Sequence, residues 1–198
     1  DHRNHGKRLV NDVSNQDFAA NAKHALDMYA IQSGTAKDCS FVMNLLEAYM
    51  FPSGERTIVE WGIAGVSLGG HSAWIAAATD PRFRICIPII GCPDYLALMS
   101  SRAEGQGFSV GPPHFPESLL RLIRSEALDP LSFRGKSVLV LSGGSDPLVP
   151  WWASKNFVEA LDVGDGDKTV ILFEDAAHEV TPGMVQAAVQ YVLKHALY

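Results

Sequence analysis

The sequence predicts an α/β protein, a mostly parallel sheet with helices on both faces in a three-layer sandwich. Three observations carry the prediction. Four short runs rich in β-branched and apolar residues, "TIVEWGIAGV", "FRICIPII", "SVLVLSG" and "KTVILFE", are each bounded by turn residues. Stretches with helical periodicity separate them, and strands that alternate with helices pair in parallel because each crossover returns the chain to the same end of the sheet. The length of 198 residues, with 47% hydrophobic and 19% charged, suits one globular domain, read as 1–198.

In chain order, Ser14 and Asp17 stand at capping-box-like spacing ahead of Phe18, Ala22, Ala25, Leu26 and Tyr29, which predicts a helix that stops at Gly34. Phe41, Val42, Leu45, Leu46 and Tyr49 repeat the pattern in a second helix ended by Pro52 and Gly54. The four strands then alternate with helices predicted over Leu68–Ala78, Glu117–Glu126, Ser154–Leu161 and Met184–Ala196. Glycines and prolines break the alternation over 101–117, which reads as a loop or short cap within the domain.

Composition narrows the function. A net charge of -6 carries no basic footprint for nucleic acid. No uninterrupted apolar run reaches the ~18 residues of a membrane span, so a soluble protein is expected. Cys39, Cys86 and Cys92 are odd in number and lack metal-ligand spacing, which favours a reducing compartment and a cytoplasmic location. His2 and His5 beside Asp1 are a weak metal pattern with no third ligand, so a polar loop is the reading there and neither metal nor cofactor is expected.

The chemistry concentrates at Gly65-Val66-Ser67-Leu68-Gly69. A G-x-S-x-G sequence between a strand and a helix makes a turn so tight that small residues must flank the serine, and its hydroxyl is forced out at the carboxyl end of the sheet. The spacing fits neither a dinucleotide-binding glycine loop nor a phosphate-binding loop. A serine hydroxyl is a weak nucleophile without a base, and the base needs a group to orient it. Asp146 follows the strand "SVLVLSG" in "GGSDPLVP", and His178 follows the last strand in "DAAHEVTP". The chain order Ser, Asp, His is the one expected for this arrangement.

These motifs, together with "DHRNHG" at the start of the chain, resemble the α/β-hydrolase superfamily in its dienelactone-hydrolase-like and prolyl-oligopeptidase-like branch. The resemblance implies Ser67 as nucleophile, His178 as general base, Asp146 as its orienting acid and the Leu68 amide as one oxyanion-hole donor. His71, one helical turn past the serine, and Asp94 in "GCPDY" are the rivals for base and acid. Glu174 and Asp175 stand too close to His178 in sequence to reach its ring. Trp151, Trp152, Phe108 and Phe115 are candidate substrate-binding residues, and His114 with Phe108 and Phe115 could cover the site.

The resemblance further implies an eight-stranded sheet in the order 1-2-4-3-5-6-7-8, of which this chain holds the last four strands. The domain is therefore expected to be N-terminally truncated and to lack the loop that normally gives the second oxyanion donor. It would also leave "TIVEWGIAGV" as an exposed sheet edge, a surface for self-association. The expected function is a serine esterase that cleaves small carboxylic esters through an acyl-enzyme on Ser67. The alternatives are a prolyl-oligopeptidase-type peptidase and a non-catalytic binding protein of the same fold.

Overall fold

The structure is a computed structural model and describes residues 1–196. Four parallel strands, β1 (Trp61–Val66), β2 (Phe83–Ile89), β3 (Ser137–Gly143) and β4 (Asp167–Phe173), lie side by side in chain order. Parallel neighbours need crossover connections. These are α2 (Leu68–Thr79), then α3 (Tyr95–Gly105) with α4 (Glu117–Ser125), then α5 (Trp151–Ala160). The helix α1 (His24–Met50) precedes the sheet and α6 (Pro182–Ala196) follows it.

Strand residues alternate between two cores. Cys86, Val138 and Val140 pack with Trp74, Ala77, Val158 and Leu161 of α2, α5 and the turn after it. Ile85, Ile87, Leu139 and Leu141 pack against Met184 and Tyr191 of α6. The central strands are buried on both faces, which is why they read as unbroken apolar runs. A third cluster joins α1, α3 and α4 through Tyr29, Tyr95, Met99, Leu119 and Ile123. Trp74 is completely buried, edge-on to Phe133 and Phe157, and its indole N–H donates to the Gly91 carbonyl at 3.4 Å.

Four expectations need correction. The two N-terminal helices are one 27-residue helix, α1, and it runs straight through Gly34. That glycine is where the Arg3 side chain crosses the helix: an added Cβ would lie 2.7 Å from Arg3 Cδ. Arg3 is held there by ion pairing to Asp38 at 2.6 Å. Ser14 and Asp17 precede α1 in short turns and cap neither end of it. The first predicted strand starts at Trp61, since 57–60 have no regular secondary structure. About a third of the expected loop is helical, because α3 continues to Gly105 and α4 begins at Glu117.

Within the described residues β1 forms one edge of the sheet. Its Gly62, Ala64 and Val66 face outward and exposed, while Trp61 and Ile63 pack inward. Among the described residues, no helix is long and apolar enough to cross a membrane.

Candidate active site

The register puts Val66 beside Ile89, Ile89 beside Leu141 and Gly143 beside Phe173, so the parallel strands end on one side of the sheet, with β3 and β4 reaching two residues past β1 and β2. The loops that follow β1, β3 and β4 therefore open at one end of the sheet, where parallel α/β proteins place their chemistry.

The first loop is the elbow. Ser67 has φ 51 and ψ -111, a left-handed conformation that L-residues with a side chain avoid. The backbone fixes it there: Ser67 N–H donates to the Ile89 carbonyl at 2.8 Å, and the Ser67 carbonyl accepts from His71 N–H at 3.0 Å. The turn is tight enough that a Cβ on Gly65 would fall 2.1 Å from the Gly69 carbonyl oxygen. One turn further, α2 crosses the end of β2 with Gly70 against Gly91, where an added Cβ would meet backbone at 2.8 Å or less from either side. Leu68 begins α2, and the first N–H groups of a helix have no partner inside it. Its side chain packs into the α1–α3–α4 cluster.

The second and third loops are zipped to each other. Gly144 N–H donates to the Phe173 carbonyl at 2.8 Å and Ser145 N–H to the Ala176 carbonyl at 3.0 Å. Ser145 Oγ donates to the Glu174 carbonyl at 2.9 Å. Gly143 permits this approach, since a Cβ there would lie 2.5 Å from the Ala176 carbonyl oxygen. Asp146 is buried; its Oδ1 accepts from the N–H groups of Leu148 and Val149, both at 2.9 Å. Its Oδ2 lies 2.8 Å from His178 Nδ1, and His178 Nε2 lies 2.8 Å from Ser67 Oγ. A carboxylate can only accept, so Nδ1 carries the proton, and Nε2 is left with a lone pair for the Ser67 hydroxyl.

The structure thus brings together Ser67, His178 and Asp146. The rivals are engaged elsewhere. Asp94 caps α3, its Oδ1 accepting from Ala97 N–H at 2.9 Å. His71 is fully buried, and its Nδ1 accepts from Cys92 N–H at 2.8 Å; burial holds its pKa down at about 4. Phe115 is a core residue, completely buried and stacked on Phe18, so it offers no surface to a substrate. Phe108 and His114 pack on each other and on the same Phe18. Trp151 packs against the α2–α5 core, whereas Trp152 is 55% exposed. His2 lies on Thr35, Nδ1 to Oγ1 3.0 Å, and among the described residues no cluster of three His, Cys, Asp or Glu could hold a metal ion.

Arg102 is a residue that the sequence did not single out. From α3 it donates to the Leu148 carbonyl through Nη2 at 2.7 Å and Nε at 3.2 Å, which holds the loop whose amides grip Asp146. Gly143 is another, and its only signal was the Gly-Gly pair ahead of the acid.

A parallel sheet with helices on both faces, a strained serine between strand and helix, and an acid and a histidine on later loops define an α/β-hydrolase. Residues 29–196 match the prolyl oligopeptidase family, and the chain belongs to that family of serine hydrolases. No curated protein matches the sequence. Among solved structures, TT1662 from Thermus thermophilus is 23% identical with a TM-score of 0.72, over 98% of this chain and 74% of that one. Acetyl xylan esterase 1 from Thermoanaerobacterium sp. JW/SL YS485 is 18% identical with a TM-score of 0.59, over 93% of this chain and 59% of the esterase. The Pyrococcus horikoshii acylaminoacyl peptidase is 15% identical with a TM-score of 0.55, over 79% of this chain and 26% of the peptidase. At these identities the likeness is one of fold.

Proposed function

We propose that this chain is a serine esterase that forms an acyl-enzyme on Ser67. The observation that carries the reading is the unbroken hydrogen-bond chain from Ser67 Oγ through His178 to the buried Asp146, 2.8 Å at each step. His178 Nε2 takes the proton as Ser67 Oγ attacks the ester carbonyl, and the Leu68 N–H at the start of α2 stabilises the oxyanion. His178 then protonates the departing alcohol. A water activated by the same nitrogen releases the acid and restores the serine, while Asp146 stabilises the imidazolium that forms twice in the cycle.

A fluorophosphonate probe tests this directly. A single adduct on Ser67, located by peptide mass and lost in His178→Ala, is the expected result; labelling that survives His178→Ala refutes the role of His178. A second reading, a peptidase, is supported by the family itself and by the fold shared with the acylaminoacyl peptidase. Turnover of p-nitrophenyl esters against N-acyl-amino-acid and prolyl anilides separates the two, and faster anilide cleavage favours the peptidase. We also propose that chains self-associate along the β1 edge, with Ala64→Lys expected to lower the sedimenting mass.

A further inference from the structure

A cavity of about 840 Å³ is lined by neither Ser67, Asp146 nor His178. It lies in the seam between two cores that pack separately. Ala36, Ile75 and Phe157 belong to the side built on the sheet, and Tyr29, Leu96 and Ile123 to the side built from α1, α3 and α4. The volume is that of a small-molecule site, and such sites are apolar with a few placed polar groups.

One polar group is placed in this way. Gln32, on the α1 wall, is only 3% exposed, yet its side-chain amide makes no hydrogen bond among the described residues. Its backbone carbonyl alone is engaged, by Ser72 Oγ at 3.1 Å. The amide is not sealed from the cavity, so a molecule held there can take the place of water on it. It presents one acceptor and two donors, which a carboxamide complements on both sides.

The charges around the cavity argue against an anion. Asp80, Asp94, Glu126 and Asp129 outnumber Lys37 and Arg124 in the lining. The acids also have roles in the fold: Asp80 pairs with Arg82 at 2.6 Å, Glu126 accepts from Tyr29 Oη at 2.6 Å, and Asp94 and Asp129 cap the turns that follow them. A free carboxylate ligand would enter against a net negative field.

We propose that this cavity is a second ligand site, separate from the triad, for an uncharged and mostly apolar molecule whose carboxamide-like group pairs with Gln32. The inference stands whether the triad cleaves esters or peptides. The test uses octanamide and octanoate as probes on the whole chain with isoleucine methyl groups isotopically labelled, followed by NMR. Octanamide should shift the Ile75 and Ile123 methyls in a saturable way, and octanoate should bind at least about tenfold more weakly because of the surrounding acids. Gln32→Leu should weaken octanamide about three- to tenfold, as expected for one lost hydrogen bond in a buried site. Ala78→Trp, which fills the cavity from α2, should abolish the shifts, and Ser67→Ala should leave them unchanged. Equal binding of the two probes, or octanamide binding untouched by both Gln32→Leu and Ala78→Trp, overturns the proposal.

Discussion

Two glycines flank Ser67 in the same motif, and the structure predicts opposite fates for them. On Gly65 an added methyl would lie 2.1 Å from the Gly69 carbonyl oxygen and 2.3 Å from its carbon, more than 1 Å inside ordinary contact. Both atoms are backbone, so no side-chain rotation relieves the clash. The elbow must open, moving Ser67 relative to His178. A misplacement of about 1 Å at a reacting atom costs roughly 10²-fold in rate, and the overpacking itself costs about 1–3 kcal/mol of stability. On Gly69 the same methyl meets only His2 Nε2, at 3.5 Å, which is ordinary contact. Gly69 already has helical backbone, where alanine is favoured by up to about 1 kcal/mol. Gly65→Ala should therefore lose about 10²-fold in the rate of fluorophosphonate labelling and of p-nitrophenyl acetate hydrolysis, while Gly69→Ala retains both. Thermal melts run alongside separate an opened elbow from an unfolded chain. If Gly65→Ala labels within about threefold of the parent, or Gly69→Ala falls as far, the steric account of the elbow is wrong.

Other perturbations reach the site from further away. Arg102→Met should lower kcat/KM about tenfold and move the pH profile of the reaction, with Arg102→Lys recovering part of both; a loss of stability with an unmoved pH profile would make Arg102 merely structural. His71 is held at a pKa of about 4 by burial, below its ordinary value of 6.5, so the unfolded chain takes up a proton that the folded chain refuses. Stability should therefore fall as pH drops from about 6.5 to 4, by up to about 3 kcal/mol, and urea midpoints of His71→Gln should show a shallower fall than the parent over that range. The chain holds a second Ser-His-Asp array, with Ser137 Oγ 3.1 Å from His195 Nδ1 and His195 Nε2 2.9 Å from Asp167. Ser137 sits in a regular strand with no elbow and no helix start behind it, so the probe should leave it unmarked even at long exposure.

The central strands β2 and β3 were legible because burial on both faces leaves a short, mostly apolar run, and the half-exposed β1 and β4 because they keep apolar and β-branched residues between turn residues. The candidate triad positions could be read from the strands, since Ser67 follows β1 at once while Asp146 and His178 stand in the loops just past β3 and β4. The N-terminal third was misread because a glycine in a helical pattern looks like a stop. At Gly34 it is instead a groove for Arg3, a partner 31 positions away that local pattern cannot reveal. Helix α3 did carry a signal: Asp94 as cap, then Tyr95, Leu98, Met99 and Ala103 buried at helical spacing. The glycines and prolines that follow masked it. Phe115 was misjudged because aromatic residues in a Gly/Pro loop look available, whereas Phe18, far away in sequence, takes this one into the core.

What distinguishes Ser67 from Ser137 is the backbone beneath it, since both have a histidine and an aspartate in line. A serine at φ 51 costs on the order of 1–3 kcal/mol and persists only where its surroundings leave no alternative. Here the Ser67 N–H is fixed to β2 and its carbonyl to α2. The chain on either side closes to contacts that only glycine allows, Gly65 against Gly69 and Gly70 against Gly91. The acid and histidine loops form a second rigid unit, zipped through Gly144 and Ser145 at the ends of β3 and β4. Ser67 and His178 bring the two units together at 2.8 Å, a length that depends on the register that carries β1 across β2 and β3 to β4. The reactivity proposed for this serine is in that sense a property of the whole sheet, and changes at Gly91 or Gly143 should reach it as surely as changes to the histidine itself.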